Sequence, residues 1–124
     1  MITVLVVDDH PAMRRLIRRL LSSHGNIHVV AEAASGEEAL ECVREYEPDV
    51  MTLDMMMDGM TGLEVLQRLK NYQKRPKVIV LSLYHTWDLK EKAMENSASA
   101  YIPKKELISG KLLETIELLA SESA

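Results

Sequence analysis

A chain of 124 residues with 47% apolar content supports one hydrophobic core, and the whole of 1–124 reads as one domain. Its net charge of -4 argues against gripping nucleic acid through the overall field, and no apolar run nears the roughly 20 residues that span a bilayer, so neither nucleic acid nor membrane is an expected partner. A single cysteine, Cys42, allows no internal disulfide, and the start lacks a charged-then-apolar leader, which together point to a cytoplasmic location.

In chain order, short apolar runs alternate with helical periodicity. The first strand lies near Thr3-Val7. The helix after it carries Met13, Leu16, Ile17, Leu20 and Leu21 on one face, with Pro11 in its first turn and Gly25 past its end. A second strand near His28-Ala33 leads to a helix opened by Ser35 and Glu38, a capping-box pair, and stopped by Pro48. Val50-Leu53 forms the third strand, and Thr61 with Glu64 opens the third helix in the same way. Pro76 precedes the fourth strand, Val78-Leu81. The fourth helix, near Trp87-Glu95, has only Leu89, Ala93 and Met94 as its stripe. Ala100-Ile102 is the fifth strand, and the last helix turns Leu112, Leu113, Ile116 and Leu119 inward. Five such repeats of strand and helix predict an α/β fold around a parallel sheet.

Asp8 and Asp9 close the run Val4-Leu5-Val6-Val7, and Asp54 closes the run through Val50, Met51 and Leu53. Strands buried on both faces that end abruptly in Asp deliver their carboxylates to the C-terminal rim of the sheet, where α/β folds bind ligands. Like charges crowded there raise one another's pKa unless a cation intervenes, so the cluster implies a metal, and hard oxygens imply Mg2+. Ser82 and Lys104 end or follow the fourth and fifth strands. A hydroxyl and an ammonium opposite three acids make an oxyanion site, with Asp54 the candidate to form an acyl phosphate. The loop Met55-Met56-Met57-Asp58-Gly59-Met60-Thr61-Gly62 has glycines that permit positive φ and close backbone approach.

The whole chain resembles the receiver domains of two-component response regulators. The resemblance rests on Val6-Val7-Asp8-Asp9, on Asp54 with Gly62-Leu63-Glu64 downstream, on Val80-Leu81-Ser82 and on Ala100-Tyr101-Ile102-Pro103-Lys104. It implies a doubly wound, flavodoxin-like five-stranded sheet in the order 2-1-3-4-5. It also implies that Asp54 is the phosphoacceptor, that Asp9, Asp54 and the Met56 backbone carbonyl bind Mg2+, and that Asp8 acts through water. Ser82 and Lys104 would hold phosphoryl oxygens, and Tyr101 would be an aromatic switch that follows Ser82. The implied donor is a sensor histidine kinase or phosphotransfer protein. The implied response is a changed surface on the fourth helix, fifth strand and fifth helix, with homodimerisation on phosphorylation. Val80-Leu81-Ser82-Leu83-Tyr84 and Asp8-Asp9-His10-Pro11 are similar to regulators with a C-terminal helix-turn-helix, so the expected output is transcription through an effector domain outside this chain. The rival from another class is a Mg2+-dependent phosphohydrolase with Asp54 as nucleophile. Such an enzyme needs a second acid or base and a cap over its substrate.

Three positions depart from the family's usual pattern. Asp58 stands where proline is common, and either recruits a second cation or faces solvent. Leu83 replaces a small residue and is expected to shield the acyl phosphate from water. Lys105 replaces a frequent proline after Lys104, leaving the local turn and peptide isomer open. Arg14, Arg15, Arg18 and Arg19 form a basic helix face that is either a solvated side or a kinase-docking surface. His10, His24, His28 and His85 lack metal-ligand spacing and read as bystanders, although His10 adjoins Asp9 and is open to a weak influence on metal affinity. Alternate members of Met55, Met56 and Met57 are expected to fill the core, Tyr101 to be half-buried, and Cys42 to pack rather than react.

Overall fold

The computed structural model describes residues 1–83 and 86–122. Five strands, β1 (Ile2–Val7), β2 (Ile27–Ala33), β3 (Val50–Asp54), β4 (Lys77–Ser82) and β5 (Ala100–Pro103), pair in parallel in the order β2-β1-β3-β4-β5. Five helices join them: α1 (Pro11–Ser22), α2 (Gly36–Tyr46), α3 (Gly62–Leu69), α4 (Trp87–Glu95) and α5 (Lys111–Glu122). This is the expected doubly wound sheet. Side chains alternate along each strand, so the sheet feeds two cores. Leu5, Val7, Met51, Leu53 and Val80 pack against α2, α3 and α4, whereas Val4, Val6, Val50, Ile79 and Leu81 pack against α1 and α5. The strand order reverses between β1 and β3, and the crevice outside the carboxyl ends of those two strands is where such sheets take ligands.

Local chemistry sets the helix boundaries. Pro11 occupies the first turn of α1, and Ile17 and Leu21 are fully buried, each burial contributing about 1.5 to 3 kcal/mol. Gly25 does not take a positive φ; instead the Ser22 and Ser23 hydroxyls donate to the Arg19 and Leu20 carbonyls and close the helix. Ser35 and Thr61 accept hydrogen bonds from the Glu38 and Glu64 amides, as the capping pairs predict. Helix α2 stops at Glu47, whose φ of 44° is left-handed, just before Pro48.

Two regions differ from the sequence reading. In α4 only Ala93 is fully buried; Leu89 packs partly, and Met94 and Trp87 are 43% and 73% exposed. Its apolar stripe is therefore narrower than the spacing suggests. Between β5 and α5 runs a 3-10 turn, Lys104–Ser109, anchored by buried Leu107 and ended by Gly110 at φ 88°. No described peptide bond is cis, and Lys105 lies within this turn.

Candidate metal and phosphoacceptor site

The rim of the sheet brings Asp8, Asp9 and Asp54 together. Asp8 extends β1 by donating its amide to the Ala33 carbonyl (3.1 Å), and Asp54 is the last residue of β3. Both are almost fully buried, at 1% and 3% exposure, while the Asp9 side chain retains 23%. Lys104, also buried, places Nζ 2.9 Å from Asp8 Oδ2 and 3.5 Å from Asp54 Oδ1. The Met56 amide donates to Asp54 Oδ1 at 3.2 Å, and the Asp58 amide to Asp9 Oδ2 at 3.3 Å.

One ammonium does not neutralise three carboxylates. Burial, and then the charge of Asp8, push the Asp54 pKa above the usual carboxylate value, against the pull of Lys104 and the Met56 amide. Asp9 Oδ1 is a buried oxygen without a hydrogen-bond donor. One ligand atom from each of Asp8, Asp9, His10 and Asp54 lies within 4.8 Å of the others. An orphaned oxygen, a carboxylate with a raised pKa and a set of hard donors fit a divalent cation.

Ser82, fully buried, ends β4 one residue beyond Leu81, the register partner of Asp54. Tyr101 pairs with Val80 across the sheet and is 8% exposed, more buried than the half-buried position expected for it. Because side chains alternate, Val80 and Ser82 share a face, which is the face where Tyr101 packs near Ala93 and Ala98. Ser82 and Tyr101 thus border one interior.

The family model for the response regulator receiver domain matches residues 4–117. The chain belongs to this family. It is 34% identical over 102 residues to the nitrate/nitrite response regulator NarL of Escherichia coli K12, covering 82% of this chain and 47% of NarL. A protein-glutamate methylesterase/protein-glutamine glutaminase of Oleidesulfovibrio alaskensis is 42% identical over 106 residues, covering 85% of this chain and 29% of that protein. Among solved structures, a DNA-binding response regulator of the LuxR family from Staphylococcus aureus superposes with a TM-score of 0.88 at 32% identity, covering 97% of this chain and 99% of that one. The receiver spans about half or less of the length of these curated relatives. It is a two-component signalling module, and its relatives include a DNA-binding response regulator and a protein-glutamate methylesterase.

The loop after Asp54 divides its glycines between two tasks. Gly59 has a φ of 74°, whereas a Cβ on Gly62 would stand 2.5 Å from the Asp54 carbonyl oxygen. Met55 and Met57 fill the core and Met56 is exposed, the predicted alternation. Asp58 is exposed, in keeping with the solvent-facing reading, and is not among the clustered carboxylates. Leu83 is 66% exposed at the rim, and Cys42 packs against the α2 side of the core. Burial, then Glu38, Glu45 and Glu41, raise the Cys42 thiol pKa, which opposes thiolate chemistry.

Two residues lie closer to the acidic rim than the sequence reading placed them. His10, taken for a bystander, brings Nδ1 to 2.9 Å from Asp9 Oδ1 and 3.3 Å from Asp8 Oδ1. Its adjacency to the Asp pair was the available signal. Arg14, taken as part of an outer basic face, donates from Nη1 to the Asp8 carbonyl at 2.7 Å and pairs through Nε with Glu32 at 3.3 Å. Arg18 meets the same Glu32 at 2.6 Å, so Arg15 and Arg19 form the exposed remainder of that face. His24 lies 3.2 Å from Glu117, His28 is exposed, and His85 and Tyr84 fall outside the described residues.

Proposed function

We propose that this receiver takes a phosphoryl group on Asp54 from a histidine kinase or phosphotransfer protein and holds it as a switch. The carrying observation is the placement of Asp54, buried at the end of the central strand, with the Lys104 ammonium bridging it and Asp8. A carboxylate oxygen of Asp54 attacks phosphorus, the bond from phosphorus to the donor imidazole nitrogen breaks, and that electron pair leaves with the imidazole. Mg2+, when bound, offsets the charge of the incoming phosphoryl oxygens. Asp9, Asp54 and the Met56 carbonyl are assigned to hold it, with Asp8 acting through water. Lys104 is assigned to turn from the carboxylates to a phosphoryl oxygen, and the Ser82 hydroxyl to donate to another. These charge-assisted bonds supply about 1.5 to 3 kcal/mol each.

The inward shift of Ser82 opens space that the Tyr101 ring enters, so the two packings of one interior are biased by a single modification. The changed surface lies on α4, β5 and α5, where phosphorylation is proposed to favour homodimers. The proposed output, by likeness to the DNA-binding response regulator of Staphylococcus aureus, is transcription through an effector domain. The chain itself is read as a phosphoacceptor rather than a turnover catalyst, and as cytoplasmic; no described helix is long and apolar enough to cross a membrane.

Amide chemical shifts with and without beryllofluoride, an acyl-phosphate mimic, test the switch. They should move most along residues 82–88 and 98–105, with sedimentation reporting association. Shifts confined to the loop after Asp54, with unaltered association, contradict it. Sustained phosphate release from a small ester, beyond one equivalent retained per chain, would favour the hydrolase instead.

A further inference from the structure

The turn after β1 presents a nitrogen ligand that phosphoryl transfer does not use. Its backbone is pinned on both sides. The His10 amide donates to Asp8 Oδ1 at 2.9 Å, the His10 carbonyl accepts from the Met13 and Arg14 amides at 3.1 Å each, and the Arg14 guanidinium holds the Asp8 carbonyl. This fixes the Cα of His10 beside the acidic rim while its ring stays 65% exposed and able to adjust. Nδ1 stands 2.9 Å from Asp9 Oδ1 and 3.3 Å from Asp8 Oδ1. Asp9 Oδ1, despite that short approach, is the buried oxygen that receives no hydrogen bond.

Those separations have a metal-site meaning. Two ligand atoms each about 2.1 Å from one ion lie about 3.0 Å apart at a right angle and about 3.4 Å apart at a tetrahedral angle. Nδ1 stands from each of the two carboxylate oxygens at the spacing of two adjacent ligand atoms on one cation. Imidazole is a good ligand for Ni2+ and Zn2+, whereas Mg2+ prefers hard oxygens and keeps its waters.

We propose that His10 completes a mixed nitrogen and oxygen metal site, so that this receiver binds imidazole-favouring first-row dications through His10 as well as the carboxylates, while Mg2+ affinity is independent of the ring. The proposal rests on reading the acidic rim as a metal site. It assigns His10 to selecting among cations and gives it no part in phosphoryl transfer.

Calorimetric titration of the untagged chain with Ni2+ and separately with Mg2+, at a pH where imidazole is neutral, tests it. His10→Ala and His10→Asn should each lower Ni2+ affinity at least about tenfold and leave Mg2+ affinity within about twofold. The proposal is overturned if Ni2+ affinity falls no more than Mg2+ affinity. It is also overturned if both ions bind more tightly, which would make His10 a cationic counter-charge. Asp9→Ala separates this from the underlying reading. It should weaken both ions, and a wild type that binds no Mg2+, together with Ni2+ binding indifferent to Asp9→Ala, overturns the acidic metal site and the role of His10 together.

Discussion

Asp54→Asn should stabilise the metal-free protein at neutral pH. The nearest charges roughly cancel: at an effective dielectric near 20, an Asp8 oxygen within 4.8 Å repels Asp54 by about 3.5 kcal/mol or more, and Lys104 at 3.5 Å attracts it by about 5 kcal/mol. Burial, the largest cause of the raised Asp54 pKa, tips the balance against the carboxylate, so a gain of about 1 to 2 kcal/mol is expected. Asparagine keeps an acceptor for the Met56 amide, and Lys104 keeps its 2.9 Å partner Asp8, so neither group is orphaned. In a domain of this size the melting temperature should rise by about 4 to 8 °C in EDTA at pH 7.5. Because the folded-state pKa of Asp54 is raised, its favourable contribution is fully present below the unfolded pKa and lost as pH rises through the folded one. The advantage of Asn should therefore shrink as pH falls into the range where Asp54 is protonated. Mg2+ should reverse the order, since at 100 times Kd it stabilises the wild type by about 2.7 kcal/mol and the variant less. A melting temperature lowered by Asp54→Asn in EDTA at pH 7.5 would refute this, because attraction to Lys104 would then outweigh burial and the neighbouring acids.

Mg2+ titration should show a much larger loss for Asp9→Ala than for Asp8→Ala, since Asp9 is assigned a direct bond and Asp8 a water-mediated one; equal or reversed losses would exchange their roles. Gly62→Ala should cost about 1 to 3 kcal/mol in urea unfolding, because its Cβ would meet the Asp54 carbonyl oxygen at 2.5 Å; an unchanged midpoint would mean that the loop yields freely. Leu83→Ala should speed loss of the phosphoryl group from Asp54, followed by intact mass over time; slower or equal decay would place the Leu83 side chain away from the attacking water.

The strands and the three carboxylates were legible because a run of apolar residues ending in Asp fixes both burial and the rim at once. Every strand predicted from such a run appears within a residue or so of its expected ends. The capping pairs at Ser35 and Thr61 were equally local. What escaped depends on tertiary contacts. The 3-10 turn after Pro103 is set by Leu107 reaching the core, and no periodicity announces it over six residues. Met94 matches an apolar stripe in the sequence, yet α4 packs through Ala93 alone with partial help from Leu89, so spacing overstated the buried face. Arg14 and Arg15 are neighbours of one type, and only the tertiary placement of Glu32 on β2 and of the Asp8 carbonyl gives Arg14 its inward partners. At His10, residue spacing offers no familiar ligand pattern, whereas the turn geometry brings its nitrogen among the acids.

The central claim is that Asp54 accepts the phosphoryl group. Intact mass after incubation with a small phosphodonor and Mg2+, with the modified peptide located, addresses it most directly. One adduct per chain, mapped to Asp54 and missing in Asp54→Ala, is the predicted result; an adduct of the same mass that persists in Asp54→Ala would contradict it.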